Sequence, residues 1–496
     1  MNNLSLQAKR YSLAAQLLTG AGLALSVMSA QAQAAPTPVL KAYMAAFEPV
    51  ATDAQVALNR AMDNVWGGHQ SRITRDADGT IHLLYLQYRA DTTIQWRLMR
   101  RSVAGVWTQD ATGLSGDDVA LLRDPRDERV YVVAYPDGTP YMYSGPTFAA
   151  VKVPGGWQSL FGSRHYGNAG IGPDGTICIK HSRENTVAPY TETKATYTDY
   201  ACGSYTASNG LWSWGPLVTR AIGNRHSYDY LFPNPPGAPA PGLYATSSRD
   251  VYKAAATEVP NYDPSAFAYA FNGAYRYVTS MTSASDTAYH ASDIAPPLPQ
   301  SNPTAPSAAP DRRMTDSYMD SSGRTFTPYY QNDPQNAAMR ALKIAIVSKD
   351  GSSTYLLDAG PTMPSYGPAR VFEDSKHRIW ALWGAAGSMS STLRIYPLNE
   401  TVTVNAATGV STSTWAVGGY TDLSSAIYPY SQIGNVFLAV PRGGNFTSLY
   451  VDMIFSACNE KYGDLGSGVP FNSSLCYDPV NSKYQRVFYA RIRLPD

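Results

Sequence analysis

Short alternating or fully apolar runs, each preceded by a turn sequence, recur along most of the chain. Such segments are RDADGTIHLLYLQY (75–88), DPRDERVYVVAYPDG (124–138), GPDGTICIKHS (172–182), PGLYATSSRDVY (241–252), DSSGRTFTPYY (320–330) and EDSKHRIWALWG (373–384). Asp-Gly and Asp-Ser pairs suit tight turns, because Gly adopts positive φ at no steric cost. The β-branched and aromatic residues that follow fit a pleated surface. Each segment therefore predicts a turn followed by a strand of a β-hairpin.

The spacing of these turns indicates a repeat. Asp76 and Asp124 are 48 residues apart, as are Asp124 and Gly172, and the later spacings are roughly 50–80 residues. Strand-rich units with a period of about 40–50 residues are typical of β-propeller blades. With the C-terminal runs NVFLAV, LYVDMIFSA and RVFYARIRL, the pattern predicts an all-β chain folded as a single seven-bladed β-propeller over 35–496. A pair of β-sandwiches is the alternative.

Composition agrees with strands and turns. The chain has 36 Tyr, 39 Gly and 35 Pro, and only 16% of its residues are charged. The proline-rich stretch at 295–313 has the composition of an interdomain linker. Because the same turn and strand unit occurs on both sides of it, we expect a surface loop between blades of one ring.

The first 34 residues have the pattern of a secretory signal peptide. Lys9 and Arg10 precede an apolar run and the small-residue sequence AQAQAA. No later stretch is apolar for the roughly 20 residues that a membrane span needs. Removing residues 1–34 changes the formal charge from +1 to −1, so no nucleic-acid partner is indicated. We expect a secreted or periplasmic protein that is monomeric and has no membrane segment.

The chain has four cysteines, which in an exported protein suit two disulfides. Cys178–Cys202 and Cys458–Cys476 are the simplest of the three pairings. Free buried thiols are the alternative.

Two of the seven histidines flank one predicted hairpin turn. His165 lies ten residues before Gly175, just as His69 lies ten residues before Gly79. His181 follows Gly175 by six residues, so a hairpin can bring it beside His165 on a shared face. The pair is therefore a candidate catalytic group. The alternative is that neighbouring carbonyl groups satisfy both rings.

The next predicted hairpin supplies aromatic and cationic residues. RHSYDYLFPNP (225–235) contains His226, Tyr228 and Tyr230, and the returning strand contains Tyr244 and Arg249. If this is the next blade, Tyr230 and Arg249 face the site that holds the histidine pair.

These features together resemble the propeller polysaccharide lyases of families 24 and 25, the ulvan lyases and related enzymes acting on rhamnose–glucuronate linkages. The resemblance covers most of the chain as architecture, and its motifs are concentrated in 160–252. It implies a seven-bladed ring with a catalytic His, a Tyr and an Arg that neutralises a carboxylate. By position these are His165, Tyr230 and Arg249, with His181 as the second histidine. The short spacing of the histidines and the insertion PPGAPAPG between Tyr and Arg depart from the family pattern.

Cleaving a uronic-acid polysaccharide by β-elimination requires removal of the C5 proton, and a 4,5-unsaturated uronate end results. Arg249 would bind the substrate carboxylate and stabilise the enolate-like intermediate, with His181 as a second donor. His165, with an ordinary pKa near 6.5, suits a base at neutral pH. Tyr230 would protonate the leaving oxygen, and we expect Arg249 to lower its pKa. Whether His165 or Tyr230 is the base is left open.

Further residues are expected to contact substrate. They are His69, Tyr228, His226, Tyr244 and His290. His69 has the alternative of a packing role in the first blade, and His82, between apolar strand residues, is expected to be structural.

Two other functions compete with the lyase. A sialidase-like glycosidase would use Arg72, Arg89 and Arg249 to bind a carboxylate, but Thr74 stands where that family has Pro. A non-catalytic propeller would bind glycans by aromatic stacking. No metal-binding motif is present, and we expect no cofactor, although a calcium ion bound by loop carbonyls would leave no sequence signature.

Overall fold

Antiparallel hairpins make up almost all of the regular structure. The computed structural model of the chain describes residues 40–51, 56–58, 69–89, 91, 93–116, 118–158, 167–184, 196–206, 210–222, 225–236, 242–252, 269–280, 289–293, 312–332, 339–360, 369–383, 393–427, 430–431, 433, 436–459 and 485–496. Within these ranges the helical elements are one turn of α-helix, α1 (Ser424–Ile427), and a 3-10 turn at Pro441–Gly443. The predicted all-β class is therefore confirmed. Residues 41–494 form one compact unit.

The first strand, β1 (Tyr43–Ala51), is followed by three sheets built from consecutive strands. Sheet I contains β2 (Val56–Ala57), β3 (Ile73–Arg75), β4 (Ile81–Tyr88), β5 (Ile94–Arg101) and β6 (Trp107–Ser115). Sheet II contains β7 (Val119–Arg123), β8 (Val130–Ala134), β9 (Tyr141–Ser144) and β10 (Ala149–Lys152). Sheet III contains β11 (Asn168–Ile171), β12 (Ile177–Glu184), β13 (Thr196–Thr206), β14 (Leu211–Trp214) and β15 (Val218–Ile222).

The remaining strands form a larger sheet and two further sheets. Sheet IV contains β16 (Arg225–Pro233), β17 (Gly242–Tyr252), β18 (Tyr269–Ser280), β19 (Tyr289–Asp293), β20 (Arg312–Met314), β21 (Tyr318–Met319), β22 (Thr325–Asn332), β23 (Arg340–Val347) and β24 (Thr354–Asp358). Sheet V contains β25 (Ala369–Glu373), β26 (Ile379–Trp383), β27 (Arg394–Val404), β28 (Ser411–Val417) and β29 (Thr421–Asp422). Sheet VI contains β30 (Tyr430–Ser431), β31 (Val436–Leu438), β32 (Tyr450–Asn459) and β33 (Gln485–Arg493), together with β1.

The N-terminal strand completes the C-terminal sheet. β1 pairs antiparallel with β33, from Tyr43 opposite Arg493 to Ala51 opposite Val487. The sequence pattern did not predict this strand. Pairing of the first and last strands in one sheet is how a circular arrangement of sheets closes without a free end, and the architecture is propeller-like.

The hydrophobic core lies between the faces of successive sheets. Ile73 and Leu83 of sheet I pack with Ile454 and Tyr489 of sheet VI, while Leu84 on the opposite face packs toward sheet II. Similar clusters join sheets II and III, sheets III and IV, and sheets IV to VI. Because neighbouring residues on a strand point to opposite faces, each central strand contributes to two of these layers.

The predicted hairpin turns lie where the sequence placed them. In three of these turns the amide of the fourth residue donates to the carbonyl of the first: Asp76–Gly79, Gly172–Gly175 and Asp320–Gly323. The fourth residue has φ between 78° and 95° in each, which explains the glycine. The turn at Asp374 has the same hydrogen bond with His377 in place of glycine, at φ 61°. Local turn chemistry thus begins most of the sheets.

One predicted disulfide is present. Cys178 and Cys202 are bonded across the β12–β13 pair, where they lie opposite each other in register. The side chains of the second predicted pair, Cys458 and Cys476, are outside the described residues, as are the proposed signal peptide and nearly all of the proline-rich stretch at 295–313.

In the ranges given above, no helix is long and apolar enough to cross a membrane.

Candidate functional site

Strands at or near the beginning of a sheet, or of the second half of sheet IV, lie against one another in several places. β3 packs against β7, β7 against β11, and β11 against β16, while β21 packs against β25. One buried polar side chain occurs four residues before the turn in several of these strands. These side chains are Arg72, Asn168, Asp316 and Arg370, four residues before Asp76, Gly172, Asp320 and Asp374 respectively. The repeat therefore brings polar groups together at the start of the first strands.

A first hydrogen-bond network joins sheets I, II and III. The Gln70 side-chain amide donates to Asp118 Oδ1 at 2.7 Å and to the Gly167 carbonyl at 2.9 Å. The Gly167 amide donates to Asp118 Oδ2 at 2.7 Å, and Arg72 Nη2 donates to Gln70 Oε1 at 2.7 Å. All these side chains are buried. The network fixes the backbone just before β3 and β11.

Asn168 extends this network to sheet IV. Its Nδ2 atom donates to the carbonyls of His69 at 2.9 Å and Asp229 at 2.8 Å. The Asp229 carboxylate forms an ion pair of 2.8 Å with Lys180, and both side chains are fully buried. The pair compensates two charges that burial would otherwise make very costly.

His69 lies at the centre of these groups. Its ring meets Tyr228 edge-on at a centroid distance of 5.2 Å and Tyr230 at 6.4 Å. Burial, followed by the charges of Lys180, Arg442 and Arg72, holds the pKa of His69 well below its ordinary value, and the Gly167 carbonyl opposes this only weakly. In the described part of the chain neither ring nitrogen has a partner with hydrogen-bond geometry. His69 is therefore a neutral buried imidazole.

Two arginines lie beside Tyr230. The Arg442 guanidinium stacks over the Tyr230 ring at 4.6 Å, donates to the His69 carbonyl at 2.8 Å and lies 3.5 Å from Asp316 Oδ1. Arg370 donates through Nε to the Val436 carbonyl at 2.6 Å. Its Nη2 atom has no hydrogen-bond partner among the described residues. Arg442 thus places positive charge next to His69, and both arginines place it next to Tyr230.

The two tyrosines differ in backbone conformation and hydrogen bonding. Tyr228 has φ 61° and lies at an irregularity in the β16–β17 register, a conformation that is costly for a bulky residue and often marks a functional position. The Tyr230 hydroxyl donates to the Thr315 carbonyl at 3.0 Å. Burial raises the pKa of Tyr230, with Asp316 adding to the rise. The predicted lowering of this pKa is wrong because desolvation outweighs the nearby arginines.

His181 and Tyr244 lie in packed environments. The His181 ring stacks on Tyr135 at 5.9 Å and meets Trp157 edge-on at 6.3 Å, between sheets II and III. Its neighbour Lys180 points to the opposite face of β12, toward Asp229, as strand alternation requires. The Tyr244 hydroxyl is hydrogen-bonded to Thr325 Oγ1 at 3.0 Å inside sheet IV.

Several predicted site residues are outside the description. His165 is not among the described residues, and for His226, Arg249 and His290 the backbone alone is described. In register, His226 lies opposite Arg249, and His290 lies opposite Val278. The roles predicted for these four side chains remain predictions.

The arginine triad of the sialidase-like alternative is not assembled. Arg72 is fully buried, whereas Arg89 is half exposed and lies 3.7 Å from Asp91. Leu84 pairs with Arg72, and Arg89 is five residues farther along the strand, roughly 16 Å away at the usual rise. His82, predicted to be structural, contacts Asp76 at 2.9 Å.

Sequence reasoning missed Lys180, Asp229, Arg370 and Arg442. Three of the four had a detectable signal. Asp229 lies four residues before Pro233, the end of β16, and Arg370 lies four before Asp374. Lys180 interrupts the apolar run ICIKH. Nothing local marks Arg442, which lies in a 3-10 turn and reaches its partners only through the fold.

The arrangement can bind an anion and move a proton. Buried cations attract and orient a carboxylate, a neutral imidazole accepts a proton, and a protonated phenol donates one. Within the described ranges, no group of three or more His, Cys, Asp or Glu side chains could hold a metal ion.

No protein-family model and no curated protein matches this chain. Among solved structures, the polysaccharide lyase Uly1 is similar over 92% of this chain and 100% of its own, at 9% identity and a TM-score of 0.49. A puromycin-hydrolyzing peptidase of Mycobacterium tuberculosis is similar over 84% and 53% of the two chains, at 10% identity and a TM-score of 0.41. Virginiamycin B lyase from Staphylococcus aureus is similar over 90% and 100%, at 10% identity and a TM-score of 0.36.

Proposed function

We propose that this chain is an exported polysaccharide lyase that cleaves a uronate-containing anionic polysaccharide by β-elimination. The observation that carries the proposal is His69, a neutral buried imidazole beside two tyrosines and surrounded by Lys180, Arg442 and Arg72. A base must be neutral to accept a proton, and neighbouring cations keep it so. The same cations attract the substrate carboxylate.

In the proposed reaction, Arg442 binds the uronate carboxylate and His69 takes the C5 proton. The electron pair of that bond forms the C4=C5 double bond, the C4–O bond breaks, and Tyr228 protonates the leaving oxygen. Arg370, whose Nη2 atom has no hydrogen-bond partner among the described residues, stabilises the dianion that develops on the carboxylate. Because His69 is only 2% exposed, neighbouring side chains must move when the polymer binds.

The seven-bladed ring belongs to the proposal. Sheets I, II, III, V and VI each supply one blade, and sheet IV supplies two. Among the described residues, the backbone ladder between the halves of sheet IV, β16–β19 and β20–β24, is a single parallel pair, Asn272 and Arg312. Export fits the bonded pair Cys178–Cys202, because disulfides persist in oxidising compartments. We propose a monomer that needs no cofactor.

The test is ultraviolet absorbance of the conjugated uronate during incubation with glucuronate-containing polysaccharides, since hydrolysis creates no such double bond. His69→Ala should lower kcat by about 10²–10⁴-fold, the usual contribution of a general base. His82→Gln is the matched control, because His82 lies in the same sheet away from these cations. A His69→Ala variant with near-normal turnover, together with inactive His165→Ala, would return the role of base to His165.

Release of reducing ends without the double bond would favour a glycosidase. Absence of any product across the panel, with the polysaccharide still bound, would favour the glycan-binding propeller.

A further inference from the structure

A cavity of about 320 Å³ lies at the turn ends of the first strands. It is lined by the ends of β11, β16, β21 and β25 and by the residues that follow the 3-10 turn. Its size is at the lower end of the range for small-molecule sites, about 300–1,000 Å³. The proposed reaction uses none of its residues except Arg442.

The walls of this cavity are aromatic and rigid. Phe232, Tyr318 and Phe446 provide three rings, and Met319 lies among them. Prolines form much of the remaining wall: Pro125, Pro173, Pro233, Pro235 and Pro236. Because proline fixes φ, this wall keeps its shape without a ligand, which lowers the entropic cost of binding.

Glu373 places a buried carboxylate in this wall. Its side chain is 3% exposed and accepts hydrogen bonds of 2.7 Å from both the amide and the hydroxyl of Ser321. Its ion-pair partner in the described part of the chain is His377, at 2.7 Å. The adjacent Asp374 and the nearby Asp320 differ, because Arg378 and Arg324 pair with them at 2.7 Å. Glu373 alone lacks a permanent cation among these carboxylates.

Tyr318 adds a buried phenol next to Glu373. The residue is 2% exposed. Burial raises the pKa of Tyr318, and the charges of Glu373 and Asp320 add to the rise. The phenol therefore lies in a negative potential.

Arg442 also borders the cavity but directs its charge elsewhere. Its guanidinium contacts the His69 carbonyl, the Tyr230 ring and Asp316. Glu373, Phe232, Tyr318 and Phe446 line the cavity beside it, and the Phe446 ring also lies 5.0 Å from the Arg123 guanidinium.

We propose that this cavity binds an organic ammonium ion with an apolar body. The ammonium group lies beside Glu373 and against the aromatic faces, and the apolar body fills the space between the prolines. Cations are attracted to aromatic ring faces, and the attraction increases when the site excludes water. The proposal does not rest on the lyase reaction, although Arg442 borders both sites.

The test compares three ligands of similar shape by isothermal titration calorimetry on the full chain: phenylethylamine, phenylethanol and phenylpropionate. The amine should bind at least about tenfold more tightly than the alcohol, as a desolvated cation–aromatic contact allows. Phenylpropionate should bind more weakly than both. Equal affinity for amine and alcohol, or tighter binding of the anion, would overturn the proposal.

Variants identify the groups responsible. Glu373→Gln should abolish the preference for amine over alcohol, whereas Asp350→Asn, at an exposed turn carboxylate, should leave it unchanged. If Glu373→Gln does not fold, Phe446→Ala serves instead, because Phe446 is 48% exposed and its loss leaves the core intact. Phe446→Ala should lower the affinity for phenylethylamine by about fivefold or more. Unchanged affinity in either folded variant would exclude the site, and no readout depends on lyase activity.

Discussion

The two ends of the first strands hold their charged side chains in different ways. At the turn ends, Asp374 pairs with Arg378, and Asp320 pairs with Arg324, each four residues farther along. At the starts, Lys180 pairs with Asp229 and Asn168 bonds to the His69 carbonyl, across 49 and 99 residues. Turn-end arginines are partly exposed, whereas Lys180 is fully buried. Local pairs shape the hairpins, and distant pairs create the site.

The largest expected effect comes from breaking a distant pair. Lys180→Met should lower the free energy of unfolding by about 3–5 kcal/mol, because Asp229 is left as an uncompensated buried charge. Lys343→Met is the matched control. Lys343 also lies on a second strand of a hairpin, but its partner Asp358 is 79% exposed, and the loss should be at most about 1 kcal/mol. Urea denaturation of both variants measures the difference, and equal losses would contradict this account.

A smaller effect is expected at a turn. Both carboxylate oxygens of Asp374 accept hydrogen bonds. Oδ1 accepts them from the backbone amides of Lys376 and Arg378, and Oδ2 accepts them from Arg378 Nε and Trp380 Nε1. Asp374→Asn replaces one acceptor with a donor and should cost about 1–3 kcal/mol, the penalty of unsatisfied buried donors.

Asp350 provides the control for this turn prediction. Hydrogen bonds from the Ser352 amide and from the hydroxyls of Ser348 and Ser352 lower its pKa to about 2. Oδ1 accepts all three of these hydrogen bonds. Asp350→Asn keeps that acceptor on an exposed residue, so urea denaturation at neutral pH should show a smaller loss than Asp374→Asn causes. A matching loss in both variants would mean that the turns depend on charge and not on acceptor number.

The smallest effect concerns pH. The pKa of His69 is held well below the value of about 6.5 that it has in the unfolded chain. Above about pH 6.5 the His69 ring is neutral in both the folded and the unfolded chain, so it adds no pH dependence. As the pH falls below about 6.5, only the unfolded chain takes up a proton at His69, and the free energy of unfolding falls by up to about 1.4 kcal/mol per pH unit. His69→Gln should remove this slope in denaturation curves measured from neutral to acidic pH, and parallel curves would contradict it.

Sequence reasoning recovered what local chemistry determines. The turns at Asp76, Gly172, Asp320 and Asp374 require particular residues within four positions, so the strands that they join were predictable. The contacts around His69 were not predictable. Arg442 is 373 residues from His69, and nothing near Arg442 in the sequence indicates that His69 is its partner. The direction of the Tyr230 pKa shift was predicted wrongly for the same reason, because burial of Tyr230 depends on packing from distant sheets.

The pairing of β1 with β33 was also invisible locally, because each strand finds its partner at the other end of the chain. This pairing places residues near the two ends of the 41–494 unit beside each other in sheet VI. The ends of the chain can therefore be moved to another turn. A circular permutant that joins residue 494 to residue 41 by a short linker and begins in the exposed 406–409 turn of sheet V should reach the same fold, as its circular dichroism and Cys178–Cys202 bond would show. In such a permutant sheet VI, which now joins β1 to β30–β33, would form from consecutive strands.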